Sequence, residues 1–170
     1  MVKAVIDTNI WISGVIYKQK LAHLIDLWFK RKFVAYLSQE TFLELQITLL
    51  DYAIKFDKQS EAFIFLNNVK KKAVFVTPQI NLNLCEDPDD NKFLDVATEA
   101  KADYLVSGDK KLLKIKKVGK TKILSPREFL WLEIFSLGNK IGEKVKISEK
   151  NIQAEIKKLR KKSDISFKRR

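Results

Sequence analysis

The chain has 170 residues and a formal net charge of +12, with 46% hydrophobic and 32% charged residues, a composition typical of a globular protein with an apolar core. No apolar run approaches the roughly 20 residues that span a bilayer, and the first residues lack the pattern of a signal peptide, so we expect no membrane insertion. The single cysteine, Cys85, excludes an internal disulfide and favours a reducing, cytoplasmic location.

Short apolar runs alternate with amphipathic segments along most of the chain. We predict five strands, at residues 2–6, 33–37, 73–77, 103–107 and 121–124. Helices are predicted at 10–17, 21–29, 39–53, 61–69, 88–101 and 126–136. Ser38 caps the third of these, and a capping box over residues 125–128 starts the last. This alternation favours an α/β fold with a five-stranded parallel sheet flanked by helices.

The last 33 residues have a different character from the rest. Residues 138–170 contain 12 basic and 4 acidic side chains, and Gly138 and Gly142 look like a linker. We therefore divide the chain into a domain at 1–137 and a basic helical extension at 138–170. A basic excess at one end favours a polyanionic partner such as nucleic acid, although a solvated lysine-rich surface is the simpler interpretation. The extension either binds an RNA backbone or packs on a partner chain.

Four acidic residues fall where parallel strands end or where the following helices begin. Asp7 ends the first strand, Asp109 follows the fourth, Asp90 begins the helix before the fourth, and Glu44 lies in the helix after the second. Ligands of parallel α/β sheets bind beyond the carboxyl ends of the strands, so these acids should converge. Each also has a structural explanation, such as a helix dipole, a surface position or a turn. Asp7 is the hardest to explain in this way, because burying an unpartnered carboxylate is costly.

A convergence of carboxylates has a chemical consequence. Two carboxylates about 4 Å apart repel by roughly 4 kcal/mol at an effective dielectric near 20, so the cluster must take up protons or bind a cation. Oxygen ligands favour Mg²⁺ or Mn²⁺ over Zn²⁺, and one histidine and one cysteine do not make a zinc site. Hard cations bound by carboxylates in a basic protein indicate phosphodiester hydrolysis.

Four segments together carry a family resemblance. They are VIDTNIWISG (Val5–Gly14), SQETFLEL (Ser38–Leu45), DPDDNKFLDVATEAKADYLVSGDKKLL (Asp87–Leu113) and ILSPREFL (Ile123–Leu130). In this order they resemble the PIN-domain ribonucleases, most closely the prokaryotic VapC-like toxins of toxin–antitoxin pairs, over about residues 1–130. The resemblance implies the five-stranded parallel sheet, Mg²⁺ or Mn²⁺, and cleavage of RNA. It also implies a small antitoxin protein as a partner and a homodimer.

The resemblance assigns roles by position. It makes four acids catalytic: Asp7, Glu44, Asp90 and Asp109. Asp7, Asp90 and Asp109 would bind the metal, and Glu44 would help to bind it or orient the attacking water. Asn9 and Ser107 match polar residues that support the site.

One departure from the family concerns the outer acid. Many relatives have an acidic residue where this chain has Lys111, so we expect one tightly held ion rather than two. Of the other acids nearby, we interpret Asp87 and Asp89 as helix-start residues and expect Asp95 to face solvent.

Two other functions compete with the nuclease. A catalytically weak or inactive PIN-fold module could bind RNA or a protein, with Lys111 as the mark of a decayed site. A phosphatase of the haloacid-dehalogenase kind also has an aspartate after its first strand. That class needs a second aspartate where this chain has Asn9, and another acid where it has Leu113, so the sequence argues against it. The RNA target cannot be deduced from these residues.

Overall fold

The computed structural model describes residues 1–17 and 21–132. The basic extension predicted at 138–170 and the end of the last predicted helix lie outside the described residues. Met1–Pro126 form one compact unit, and residues 127–132 belong to a second. The domain boundary that we placed after residue 137 stays a prediction. Within the described ranges, no helix has the length and apolarity needed to cross a bilayer.

A mostly parallel sheet organises the first unit. Its order is β3-β2-β1-β4-β6-β5. The strands are β1 (Val2–Ile6), β2 (Phe33–Leu37), β3 (Val74–Phe75), β4 (Tyr104–Val106), β5 (Lys117–Val118) and β6 (Thr121–Leu124). All strands except β5 run parallel to one another, so the predicted α/β fold with five parallel strands is confirmed. The last three residues of β1 are all buried, as expected for a strand covered on both faces.

The additional strand β5 was not predicted from the sequence. It pairs antiparallel with β6, with Val118 opposite Thr121. The two strands are joined by a two-residue connection in which Gly119 has a φ of +54°, a conformation that glycine adopts without steric cost. A strand of two residues is too short to produce an alternating pattern of apolar residues, so β5 could not be predicted from the sequence.

Helices flank the sheet. The α-helices of the first unit are α1 (Thr8–Ile12), α2 (Ala22–Phe29), α3 (Gln39–Lys55), α4 (Gln59–Lys72), α5 (Asn91–Glu99) and α6 (Lys110–Ile115). A 3-10 turn at Pro88–Asp90 leads into α5. Residues 126–132 are also helical, as the capping box predicted. The sequence analysis missed α6, because a helix of six residues shows too few turns for a helical period to be recognised.

The first predicted helix differs in its second half. Instead of one α-helix over residues 10–17, α1 gives way to a π-helix at Ser13–Tyr17. Gly14 lies in this π-helix, and a Cβ atom there would lie 2.6 Å from Cγ1 of Ile25. Glycine therefore allows α2 to approach the widened turn closely, which a larger residue would prevent.

An aromatic cluster fills the core next to α1. The ring centroids of Trp11 and Trp28 lie 5.1 Å apart, and that of Phe65 lies 5.5 Å from Trp11. Both tryptophans are almost fully buried. Their rings therefore serve the core and are not available to stack on bases.

Removal of the Trp11 side chain tests this packing. Only 1% of Trp11 is exposed, so Trp11→Ala should lower the free energy of unfolding by about 3–5 kcal/mol through lost contacts and the cavity left behind. The measurement is urea unfolding followed by far-UV circular dichroism. Leu84→Ala is the control, because Leu84 is 54% exposed and its truncation should change stability by less than about 1 kcal/mol. Equal losses in the two variants would contradict the described core.

Candidate active site

The junction of β1 and β4 brings the ends of two central strands together. Ile6 lies opposite Val106, and the amide of Asp7 donates to the carbonyl of Val106 at 2.9 Å. One residue further on, the Ser107 hydroxyl donates a hydrogen bond to Oδ2 of Asp7. Ser107 Oγ also accepts from the amide of Asp109 at 2.9 Å. Ser107 therefore links the two strand-end aspartates that the sequence analysis selected.

Asp7 is a buried carboxylate with its hydrogen bonds supplied locally. Only 3% of the residue is exposed. Its Oδ1 accepts from the amide of Asn9 at 2.9 Å, which makes Asp7 the N-cap of α1. Burial raises the pKa of Asp7; the bonds from Ser107 and Asn9 oppose this rise, and the charges of Glu44 and Asp109 add to it. Asn9, an exposed residue, supports the carboxylate through its backbone amide.

Asp109 is fixed by the helix that follows it. As the N-cap of α6, its Oδ1 accepts from the amides of Lys111 at 2.6 Å and Leu112 at 3.2 Å. The short helix α6 therefore orients a carboxylate at the carboxyl end of β4. Sequence analysis predicted this acid but not the helix that holds it.

Asp90 reaches the same region from the start of α5. Its pKa is raised to about 6, first by burial and then by the charges of Asp109 and Asp7. Its side chain makes no capping hydrogen bond, and the Cys85 thiol lies 3.7 Å from its Oδ2. The negative charges of Asp109 and Asp7 therefore act on Asp90 in the folded chain.

Glu44 approaches this group but has a basic partner. Its charge contributes to the raised pKa of Asp7. Its Oε2 lies 2.7 Å from Nζ of Lys92, which is also 4.0 Å from Oε1 of Glu40. The sequence analysis did not foresee this ion pair, because its partners are on α3 and α5 and no local pattern connects them.

Comparison with known sequences places this arrangement in a family. Residues 3–111 match the PIN domain, and they include Asp7, Glu44, Asp90 and Asp109. The chain belongs to the PIN-domain family. An uncharacterized protein of Methanocaldococcus jannaschii is 31% identical, in an alignment that covers 76% of this chain and 90% of the relative. PIN domains are generally nucleases that use divalent metals and act on RNA.

Lys111 occupies the position at which many relatives have an additional acidic residue. Nζ of Lys111 lies 3.2 Å from Oδ2 of Asp87. The hydrogen bond from Lys111 is the main reason why the pKa of Asp87 is lowered. Asp87 also caps the 3-10 turn through a 3.3 Å bond from the Asp89 amide, so its predicted role at a helix start is confirmed.

Two buried polar residues of α5 hold the loop that precedes the 3-10 turn with Asp90. Oδ1 of Asn91 accepts from the amides of Leu84 and Cys85, each at 2.9 Å. Oδ1 of Asp95 accepts from the amide of Leu82 at 2.7 Å. The expectation that Asp95 faces solvent is wrong, because this bond draws the carboxylate onto the loop and leaves it buried. The sequence did contain one indication of this, because Asp95 falls on the same face of α5 as its buried apolar residues.

A cavity of about 510 Å³ adjoins the acidic site at the carboxyl ends of β2 and β3. Its walls include Ser38, Thr77, Asp89 and Lys92. The three aspartates with interacting charges are not among its lining residues. The cavity therefore meets the acidic site through Lys92 and does not contain it.

The acidic set of this PIN domain fits a hard divalent cation in charge and in donor type. Burial is the main cause of the raised pKa values of Asp7 and Asp90, the charges of neighbouring acids add to it, and a bound cation would oppose both effects. Within residues 1–17 and 21–132, no three His, Cys, Asp or Glu side chains form a group that could hold a metal ion. An ion at these acids would therefore require additional water ligands, which Mg²⁺ usually keeps.

The shifted pKa of Asp90 predicts how stability depends on pH. The folded state holds the Asp90 proton more tightly than the unfolded chain, so this contribution to stability is present at low pH and is lost as pH rises through about 6. In EDTA, Asp90→Asn should therefore be more stable than wild type at pH 8, with no difference near pH 4. The expected gain is on the order of 1 kcal/mol, because solvent screens this half-buried group.

Urea unfolding at both pH values measures the effect. Asp51→Asn is the matched control, since Asp51 is exposed and should show no such pH dependence. Equal stability of wild type and Asp90→Asn at pH 8 would show that folding does not raise the pKa of Asp90.

Proposed function

We propose that this PIN domain is a metal-dependent endoribonuclease that hydrolyses RNA phosphodiester bonds. The observation that carries the proposal is the Ser107 hydroxyl that joins Asp7 and Asp109 at the carboxyl ends of two adjacent parallel strands, with Asp90 near enough for their charges to help raise its pKa. Carboxylates that repel one another in this way favour a bound cation. The formal net charge of +12 supports a polyanionic substrate.

Each residue of the site has a defined part in this proposal. Asp7, Asp90 and Asp109 bind Mg²⁺ or Mn²⁺, which when bound polarises the phosphate and acidifies water. Ser107 and the Asn9 amide hold the Asp7 carboxylate in one orientation through its two oxygens. Glu44 lies beside these acids and orients the attacking water by accepting a hydrogen bond from it.

The same proposal includes a biological role. The resemblance to VapC-like toxins suggests that the chain is the toxin of a toxin–antitoxin pair, held inactive by a small antitoxin protein and acting on RNA in the cytoplasm. This role predicts that induced expression of the chain arrests growth. It also predicts that co-expression of a small neighbouring gene relieves the arrest. Normal growth during expression of active enzyme would argue against it.

Asp7→Asn tests the nuclease directly. The substitution removes a negative charge from the cation site. The side-chain oxygen of the replacement can still accept the hydrogen bond from the backbone amide of Asn9, so the fold should persist. We expect the rate of Mn²⁺-dependent cleavage of a labelled RNA to fall by about 100-fold or more. Asp51→Asn, an exposed neutral replacement on α3, should keep full activity. Undiminished, EDTA-sensitive cleavage by Asp7→Asn would mean that the cation binds elsewhere.

A binding module without catalytic activity is the second candidate. Lysines pair with Glu44 and with Asp87, as they would in a site that no longer recruits metal. The two candidates differ in their response to metal alone. A ligand present at about 100 times its dissociation constant stabilises the folded state by about 2.7 kcal/mol, so Mn²⁺ should raise the melting temperature of a nuclease. An unchanged melting temperature, together with RNA binding, would favour the binding module.

We also propose that the chain forms a homodimer through one face of α3. This α3 stripe consists of Leu43, Ile47, Leu50 and Ile54, which are 40 to 66% exposed. Their spacing of four, three and four residues is that of a helix pair, and the opposite face of α3 is buried in the protomer. An acidic first turn with Glu40 and a basic last turn with Lys55 suit antiparallel pairing of two copies.

Ile47→Lys tests this interface. A charge in the middle of the α3 stripe should convert the dimer to a monomer, because the ammonium would be buried without a partner. Size-exclusion chromatography with light scattering gives the mass. Leu84→Lys, at an exposed residue outside the stripe, should leave the dimer intact. A monomeric wild type would overturn the proposal, as would a dimer that survives Ile47→Lys.

A further inference from the structure

Lys92 occupies a central position among the acids. It lies in the first turn of α5, two residues after Asp90, and its Nζ is 2.7 Å from Oε2 of Glu44. Only 19% of the Lys92 side chain and 31% of the Glu44 side chain are exposed. Ion pairs of lysine with acids elsewhere are more open, such as the pair of Lys114 with Glu86. Solvent and salt therefore screen the Lys92 pair less than an ordinary surface pair.

The charge of Lys92 is stable in this position. Its Nζ lies 2.7 Å from Oε2 of Glu44 and 4.0 Å from Oε1 of Glu40, and these carboxylates stabilise its positive charge. Lys92 therefore remains an ammonium ion under ordinary conditions. The charge of Glu44 acts on Asp7. Lys92, which pairs with Glu44, therefore contributes positive charge at the edge of the group formed by Asp7, Asp90 and Asp109.

Lysines thus neutralise two acids at the margin of the site. Lys92 pairs with Glu44, and Lys111 pairs with Asp87. Asp7 and Asp90, by contrast, form no ion pair with a lysine or arginine among the described residues. The negative charge without a lysine partner therefore lies at Asp7 and Asp90.

We infer that the Lys92 ammonium takes the place of a second divalent cation, so that this site binds one metal ion and Glu44 is held by Lys92 instead of by metal. The inference rests on the proposed function, since it assumes that Asp7, Asp90 and Asp109 bind a cation. It makes Lys92 a positioning residue, which acts on the reaction through Glu44. Removing the ammonium should leave Glu44 free to recruit a second ion.

The test counts Mn²⁺ ions bound to the full-length chain, by isothermal titration calorimetry and by electron paramagnetic resonance of free Mn²⁺. Wild type should bind one ion, and Lys92→Met should bind two. Lys92→Arg keeps the positive charge and should bind one. Adding Glu44→Gln to Lys92→Met should return the count to one, because the acid that recruits the second ion is gone. Lys92→Gln replaces Lys92→Met if circular dichroism shows that the methionine variant does not fold.

The outcomes separate this inference from the proposed function. One ion in both wild type and Lys92→Met overturns the role of Lys92 and leaves the metal-dependent nuclease intact. Two ions in wild type likewise overturn only the role of Lys92. No ion in wild type overturns both. A second ion in Lys92→Met that persists after Glu44→Gln also contradicts the inference, because it binds at another place.

Discussion

A carboxylate buried at the end of the central strand constrains everything around it. Asp7 follows β1, which has neighbours on both sides and is covered on both faces, so water cannot solvate its charge freely. The folded chain compensates with a hydroxyl from Ser107 and an amide from Asn9. Both donors depend on the register of β1 with β4 and on the start of α1, and the site therefore forms only when the sheet is complete.

Negative charge is distributed unevenly over this site. At its margin, acids and lysines pair across elements, so that α3 is joined to α5 and the start of the 3-10 turn is joined to α6. At its centre, Asp7 and Asp90 have no basic partner within residues 1–17 and 21–132, and burial together with neighbouring negative charges raises their pKa values. The fold tolerates this repulsion because their backbones are fixed by strand pairing and by helix starts. Such an arrangement costs stability and favours a positively charged ligand.

Sequence analysis predicted the parts of the structure that local patterns determine. The bounds of β1, β2 and β6 agree with the prediction, since each is a compact apolar run. The sequence did not reveal β5 or the π-helix, because the first is too short for a pattern and the second depends on the approach of α2 to Gly14. These features arise from tertiary contacts, which a single sequence does not display.

The acids of the site were found by their relation to strand ends and by family resemblance, whereas their partners were not. Lys92 and Glu44 are separated by 48 residues and meet only because α3 and α5 pack near each other. Asn91 and Asp95 looked like ordinary polar residues, and their role in fixing the loop before α5 depends on backbone amides that no motif records. Charge balance and loop support are thus properties of the folded chain.

The two strand-end acids each cap a helix in addition to their proposed role in binding metal, and this combination has an evolutionary consequence. Asp7 and Asp109 are both helix N-caps, a position that asparagine and serine fill about as well as aspartate. A descendant that lost its chemistry would remain under selection to keep a capping residue, but not to keep the negative charge. Drift from aspartate to asparagine or serine at these two positions would therefore mark relatives in which the ancestral activity has been abandoned while the scaffold survives.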